Sequence, residues 1–181
     1  MRAWLAWPAG AALIAAAWGI AVITPSEAAP EQPFPVMVEV GETGIGRDIA
    51  VTVVDVRRAE TARTDEWSAA GNWVVVDLDA AAVVSEAGNS LALATLDLGG
   101  RTFRASERPE SLLGHPLSVA ASRSGSVAFE LPEDVTGGLA VLTFGVSTDP
   151  RLDSLIVLEV DLAGIPVEER AELAPVGWSS R

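Results

Sequence analysis

The chain has 181 residues, a formal net charge of −13 and no cysteine, which excludes a disulfide framework, a thiolate nucleophile and zinc–thiolate sites. Residues 31–181 carry the whole charge imbalance, with no basic stripe to offset it. Such a surface repels phosphate backbones, so nucleic-acid binding is not expected. All twelve basic residues are arginine, and lysine and tyrosine are absent while alanine is abundant. That bias is what a GC-rich genome would produce, and it warns against reading each alanine or arginine as a functional choice.

In chain order, the first feature is an apolar run. No residue from Trp4 to Thr24 is charged, and a helix of that length rises about 30 Å, the thickness of a bilayer's hydrocarbon core. Trp4, Trp7 and Trp18 are indoles of the kind that prefer the membrane interface. Arg2 precedes the run while Glu27 and Glu31 lie beyond it, an order that keeps the N-terminus cytoplasmic and places the rest of the chain outside. Residues 1–24 are therefore expected to be a single-pass transmembrane helix, the chain's membrane partner. The competing reading is a cleavable signal peptide, because Ser26-Glu27-Ala28 puts small residues at the two positions a signal peptidase reads. Removal of residues 1–28 would leave a secreted domain, so export is common to both readings. Ala11, Ala15 and Gly19 recur four apart, a spacing that permits close approach of two membrane helices.

Pro25, Pro30, Pro33 and Pro35 mark residues 25–35 as an extended linker. Strand-like periodicity then runs over 36–163. Val36, Val38 and Val40 alternate with polar or flexible neighbours, and Asp48 to Arg57 is rich in β-branched residues. Trp73 to Ala80 places Val74, Val76, Leu78 and Ala80 on one face and Trp73, Val75, Asp77 and Asp79 on the other. Apolar residues on both faces at its start and carboxylates at its end read as a strand running from a covered centre to a wet edge. Leu91 to Leu98, Gly99-Gly100 and Arg101 to Arg104 read as a hairpin, since two glycines supply the positive φ angles that primed turns need. Ser124 to Leu131 is expected to bury Val127, Phe129 and Leu131 and to expose Ser126, Ala128 and Glu130. Leu139 to Val146 and Leu155 to Leu162 complete about seven to nine strands, an all-β antiparallel sandwich. In the tail, residues 164–181, Pro166 opens a possible short helix over Val167 to Leu173 that carries Glu168, Glu169 and Glu172, and the tail could dock on the domain or on a partner.

Three motifs carry a resemblance. Trp67-x-x-x-Gly71-Asn72-Trp73-Val74-Val75-Val76-Asp77 is followed by Asp97-Leu98-Gly99-Gly100-Arg101-Thr102-Phe103, and then by Gly125-Ser126-Val127-Ala128-Phe129-Glu130-Leu131-Pro132. In this order over about residues 38–162 they resemble a family of exported bacterial domains of unknown function, similar to a mycobacterial secreted immunogenic antigen. The resemblance implies an immunoglobulin-like sandwich behind a lipoprotein signal or a membrane anchor. It transfers no activity and no catalytic residue.

Candidate sites are few. His115 is the one histidine, beside a proline and without a nucleophile-elbow motif, so it reads as a loop residue. Glycosidase-type carboxylate pairs need sugar-stacking aromatics, and residues 31–181 hold only Trp67, Trp73 and Trp178 of that kind besides phenylalanine. An enzyme is not expected. Asp77 and Asp79, two apart on one strand face, are candidate ligands for Ca²⁺, with Asp134, Asp149 and Asp153 as loop carboxylates that the fold could add. Trp67, in a polar loop, and Trp178, in the tail, are candidate anchors for a protein partner. The leading expectation is a non-enzymatic interaction module with an unidentified envelope protein; an exported ligand- or Ca²⁺-binding module is the alternative, and no other cofactor is expected.

Overall fold

The computed structural model describes residues 6–23, 32–85, 89–119 and 121–179. These form two units, residues 1–32 and 33–181. In the first, Ala6–Ile23 forms helix α1, with no acidic residue in its first turn and no basic one in its last. Trp18 is well exposed on it. Eighteen residues rise about 27 Å, less than the roughly 30 Å hydrocarbon core. Among the described residues no helix is long and apolar enough to cross a membrane, so the expected transmembrane span is not established.

The second unit is a two-sheet β-sandwich. β1 (Phe34–Val38), β9 (Ser154–Asp161), β8 (Leu139–Gly145), β5 (Leu93–Leu98) and β6 (Arg101–Arg104) lie side by side in one sheet. The other runs β10 (Val167–Glu168), β3 (Ile49–Arg63), β4 (Ser68–Ala82), β7 (Arg123–Leu131) and β12 (Gly177–Trp178). β2 (Thr43–Ile45) and β11 (Ala171–Glu172) also pair with β3. The long strands are antiparallel, but β1 joins β9, and β10 and β11 join β3, in parallel. The sheet begins at Phe34, inside the segment expected to be linker.

Alternation explains the inner core. Val51, Val53, Val74, Val76, Val127 and Phe129 from one sheet meet Leu96, Leu142, Phe144, Ile156 and Leu158 from the other. The Gly99–Gly100 turn forms as expected, with φ of +58° and +78°, and joins β5 to β6 in register Leu98–Arg101. Thr102 donates its hydroxyl to Asp97 across that hairpin. Buried Arg58 donates to the carbonyls of Thr136 (2.9 Å) and Leu162 (3.0 Å), fastening the 3₁₀ turn Leu162–Gly164 that comes after β9.

The tail is not a helix. β10 pairs Val167 with Arg58 and Glu168 with Ala59, and β11 pairs Ala171 with Ala62 and Glu172 with Arg63. The edge of β3 offers unpaired backbone groups, and covering them while burying Ala171 and Leu173 outweighs a two-turn helix that must first meet its nucleation cost. Leu173 N–H then donates to Arg63 O (2.8 Å), Ala174 N–H donates to Ser126 Oγ (2.7 Å), and Gly177 pairs with Ser124. Residues 171–178 thus strap the sheet from the β3 edge across β4 to β7. Under the strap lies a second core of Ala59, Ala62, Trp73, Val75, Ala128, Ala171 and Leu173. Ser126 and Ala128, expected to face solvent, are fully buried because this strap covers them.

Candidate functional site

β3 and β4 form a hairpin of fifteen residues a side, longer than the apolar pattern suggests because its tip is built from Ala, Thr and Glu. At the turn, Thr64 N–H donates to Trp67 O (2.7 Å) and Trp67 N–H donates to Thr64 Oγ1 (3.1 Å). This closure swings the indole of Trp67 back onto the hairpin. It meets Trp73 edge to face, with ring centroids 5.5 Å apart and planes at 88°. Arg108, from the connection between β6 and β7, lies 5.5 Å from the Trp67 ring centre and 5.9 Å from that of Trp73. Its guanidinium is held there by Glu130 at 2.8 Å.

Trp67 is therefore half-buried and packed on its own domain. It also forms the shared wall of two hollows at the hairpin tip. One, of about 310 Å³, runs between Trp67 and Arg108 on one side and Leu173 to Pro175 of the strap on the other. Its neighbour, of about 450 Å³, opens between Trp67, Thr61 and Arg170. The arginines around them are already matched: Arg63 to Glu172 at 3.3 Å, Arg170 to Glu169 at 2.7 Å and Arg108 to Glu130. Asp65, Glu66 and Glu110 line the same hollows, are exposed, and have no ion pair among the described residues. The surplus charge at the tip is negative. An indole wall beside unmatched carboxylates suits an incoming segment that brings both an apolar side chain and a cation.

Trp178 belongs elsewhere. It sits on β12, is 58% exposed, and carries the Arg123 guanidinium 4.3 Å above its ring. Arg123 and Glu130 are seven residues apart on β7, about 23 Å, so the two tryptophans occupy opposite ends of the sheet and form no common surface. Of the tryptophans expected in the membrane, Trp4 lies outside the described residues, Trp7 lies in α1 and Trp18 is exposed on it.

The expected Ca²⁺ pair is not assembled. Asp77 accepts two hydrogen bonds from Arg57 Nη2 (2.9 and 2.7 Å) and one from the Ser126 hydroxyl. Asp79 is nine-tenths buried and accepts instead from the Ser179 hydroxyl at 3.1 Å. Among the described residues no group of three or more carboxylate or imidazole side chains converges on a point that could hold an ion. Asp134 pairs with Arg101 at 3.1 Å, and Asp153 accepts from the backbone N–H of Ser154 at 2.7 Å. Asp149 is clasped by Arg151, whose guanidinium holds that carboxyl below its usual range.

Arg108 was not foreseen as part of a site, and the tail was expected only as a segment, with a short helix, that could dock on the domain or on a partner. Arg108 has no sequence mark in its Glu107-Arg108-Pro109 loop. The strap had one indirect signal, since Trp73 and Val75 make the outer face of β4 apolar and an apolar face needs a cover.

No family model, curated protein or solved structure matches this chain. Its function is therefore read from the residues and their geometry.

Proposed function

We propose that this protein is a tethered, extracytoplasmic, non-enzymatic interaction module. It grips a basic segment of an envelope protein in the cleft at the β3–β4 tip. The observation that carries the reading is the Trp67–Arg108 wall facing the strap beside unmatched Asp65, Glu66 and Glu110. Tryptophan and arginine at the centre of a pocket are the side chains that most often dominate binding energy. The surrounding carboxylates would speed encounter with a basic partner and make it salt-dependent.

Export and tethering are supported by the uncharged run Trp4 to Thr24 and by the charges on either side of it. The three motifs shared with the exported family support an immunoglobulin-like relationship. The division of strands supports the same relationship: β3, β4 and β7 correspond to A, B and E of one immunoglobulin sheet, and β5, β6, β8 and β9 to C, C′, F and G of the other.

The test uses charge reversal at positions whose side chains the fold does not need. Glu66→Lys with Glu110→Lys is expected to abolish capture of a partner crosslinked in intact cells while the melting temperature stays within about 2 °C of wild type. Trp178→Ala is expected to retain it. Capture that survives the double reversal would overturn the reading.

A further inference from the structure

We infer that the end of the sandwich at which β1 begins is a lipid-docking face, seated on a bilayer surface by Phe34, Ile45, Val84, Val119, Leu152 and Trp178. This docking presupposes the tethered reading above and is independent of the cleft.

Strand register puts these side chains at one end. β1 and β9 start together, with Phe34 opposite Ser154. β3 starts where β4 ends, Ile49 opposite Ala82, and β7 starts beside the same stretch, Arg123 opposite Ala80. β12 then brings Trp178 opposite Arg123. Backbone N–H groups draw the loops of the two sheets together. Arg47 donates to Ser154 Oγ (3.1 Å), Val83 to Asp48 O (3.1 Å) and Ala82 to Ser118 O (3.1 Å). From β2 to β12 this end is four strand spacings wide, about 19 Å.

Its exposed surface is unusually apolar. Among the described residues of the sandwich, ten large apolar side chains are well exposed, and six of them are the ones named above. Val84 is 71% exposed and Ile45 64%. Leu152 is the one non-glycine residue with a positive φ (+60°) among the described residues. It takes the third position of the turn Pro150–Asp153, which Asp153 N–H closes by donating to Pro150 O (3.0 Å). That position normally goes to glycine or asparagine. A strained backbone here holds a leucine out in water, where it adds nothing to the core. Apolar side chains gathered at one end mark an interaction surface.

Three observations choose a bilayer as its occupant. The chain enters the sandwich here: residues 24–33 separate Ile23, the last of an uncharged helix, from Phe34, and they reach no more than about 40 Å. The β3–β4 tip lies about 45 Å away along β4, so the connection favours this end at the membrane. Charge is balanced as well. In the described loops of this end Arg47, Arg123 and Arg151 equal Asp48, Asp149 and Asp153 in number, whereas the chain carries −13. The end therefore escapes the repulsion from anionic headgroups that the rest of the surface would meet. Finally, the Arg123 guanidinium lies 4.3 Å over the Trp178 ring. An indole with a cation beside it suits the headgroup level, the ring among the upper methylenes and the guanidinium toward phosphate. Trp178, expected from the sequence as an anchor for a protein, is given to lipid. In this pose the cleft at the hairpin tip points away from the bilayer.

The chain has no cysteine, so a single introduced one can be labelled uniquely. The full-length chain is reconstituted into phosphatidylcholine vesicles with or without bromines on the acyl chains. It carries an environment-sensitive fluorophore at Val84→Cys, at Leu152→Cys or, as the control, at Leu139→Cys, which begins β8 at the opposite end. Labels at 84 and 152 are expected to emit at shorter wavelength after reconstitution and to lose most of that emission in brominated lipid; the label at 139 is expected to do neither. Insertion to about 5–10 Å places them within reach of the bromines. Val84→Asp is expected to abolish quenching at 152 with the melting temperature unchanged, since residue 84 is exposed. Vesicles that carry the chain but quench 84 and 152 no more than 139 would overturn the docking and leave the tether standing. A chain that fails to float with vesicles would overturn both. A shift to shorter wavelength without quenching would mean that the face packs on protein, and it would overturn the lipid assignment, as would quenching at 152 that survives Val84→Asp.

Discussion

Asp77 has three hydrogen bonds and two jobs. It neutralises Arg57, and through the Ser126 hydroxyl it orients the oxygen that accepts Ala174 N–H from the strap. Both charged side chains are about three-quarters buried, so the pair is less screened than a surface bridge. Asp77→Asn is expected to cost about 2 kcal/mol in urea unfolding, and Ser126→Ala about 1 kcal/mol. The double variant should lose less than the sum, because both changes break one network. The sequence showed that Asp77 and Asp79 share a face, but not that Arg57, opposite Val75, reaches diagonally to Asp77. Register between β3 and β4 decides that, and a bulge between Val53 and Asp55 shifts it. Trp67 makes the same point. Its polar neighbours suggested an exposed anchor, whereas the Thr64–Trp67 turn folds its ring against Trp73. Trp67→Ala is expected to cost about 1–2 kcal/mol through the lost ring contact and exposed apolar area. Charge reversal at Glu66 is therefore the cleaner probe of binding.

At the scale of elements, the strap is what makes the outer face of the longer sheet a second core. Leu173→Ala is expected to destabilise the domain by about 2–4 kcal/mol and to shift the emission of Trp73 to longer wavelength as water reaches the indole. An unchanged spectrum would mean that the strap does not cover Trp73 in solution. Period-two alternation made β7, β9 and the core face of β4 readable, and the Gly99–Gly100 pair located its hairpin. The strap was not readable. Its strands are two residues long, they pair through backbone groups with the edges of β3 and β7, and Pro166 with three glutamates resembles the start of a helix. Ser126 and Ala128 looked exposed for the same reason: polarity and small size describe a side chain, not what a segment more than forty residues away lays over it. The outer half of the long hairpin also fell below the threshold of reading, because its Ala, Glu and Gly residues have little strand propensity of their own.

For the whole molecule, composition excluded more than it assigned. The proposed export rests on the uncharged N-terminal run, and the proposed orientation on the charges that flank it. Mass spectrometry of the membrane-bound protein is expected to find the N-terminal residues intact, and alkaline carbonate is expected to leave it in the membrane fraction. A mature chain beginning near Pro30 would replace the tether with secretion. The interaction site itself was half legible: Trp67 could be singled out, but the cleft needs Arg108 from one connection and Leu173 to Pro175 from the strap. A partner held at the hairpin tip is tested most directly by photo-crosslinking in intact cells. A photoreactive phenylalanine would replace Glu66 at the cleft mouth or, separately, Leu139, which is 61% exposed on the other sheet. One discrete protein adduct is expected from position 66, lost when Glu110→Lys is added, and none from position 139. No adduct at 66, or the same adducts from both positions, would contradict a partner site in this cleft.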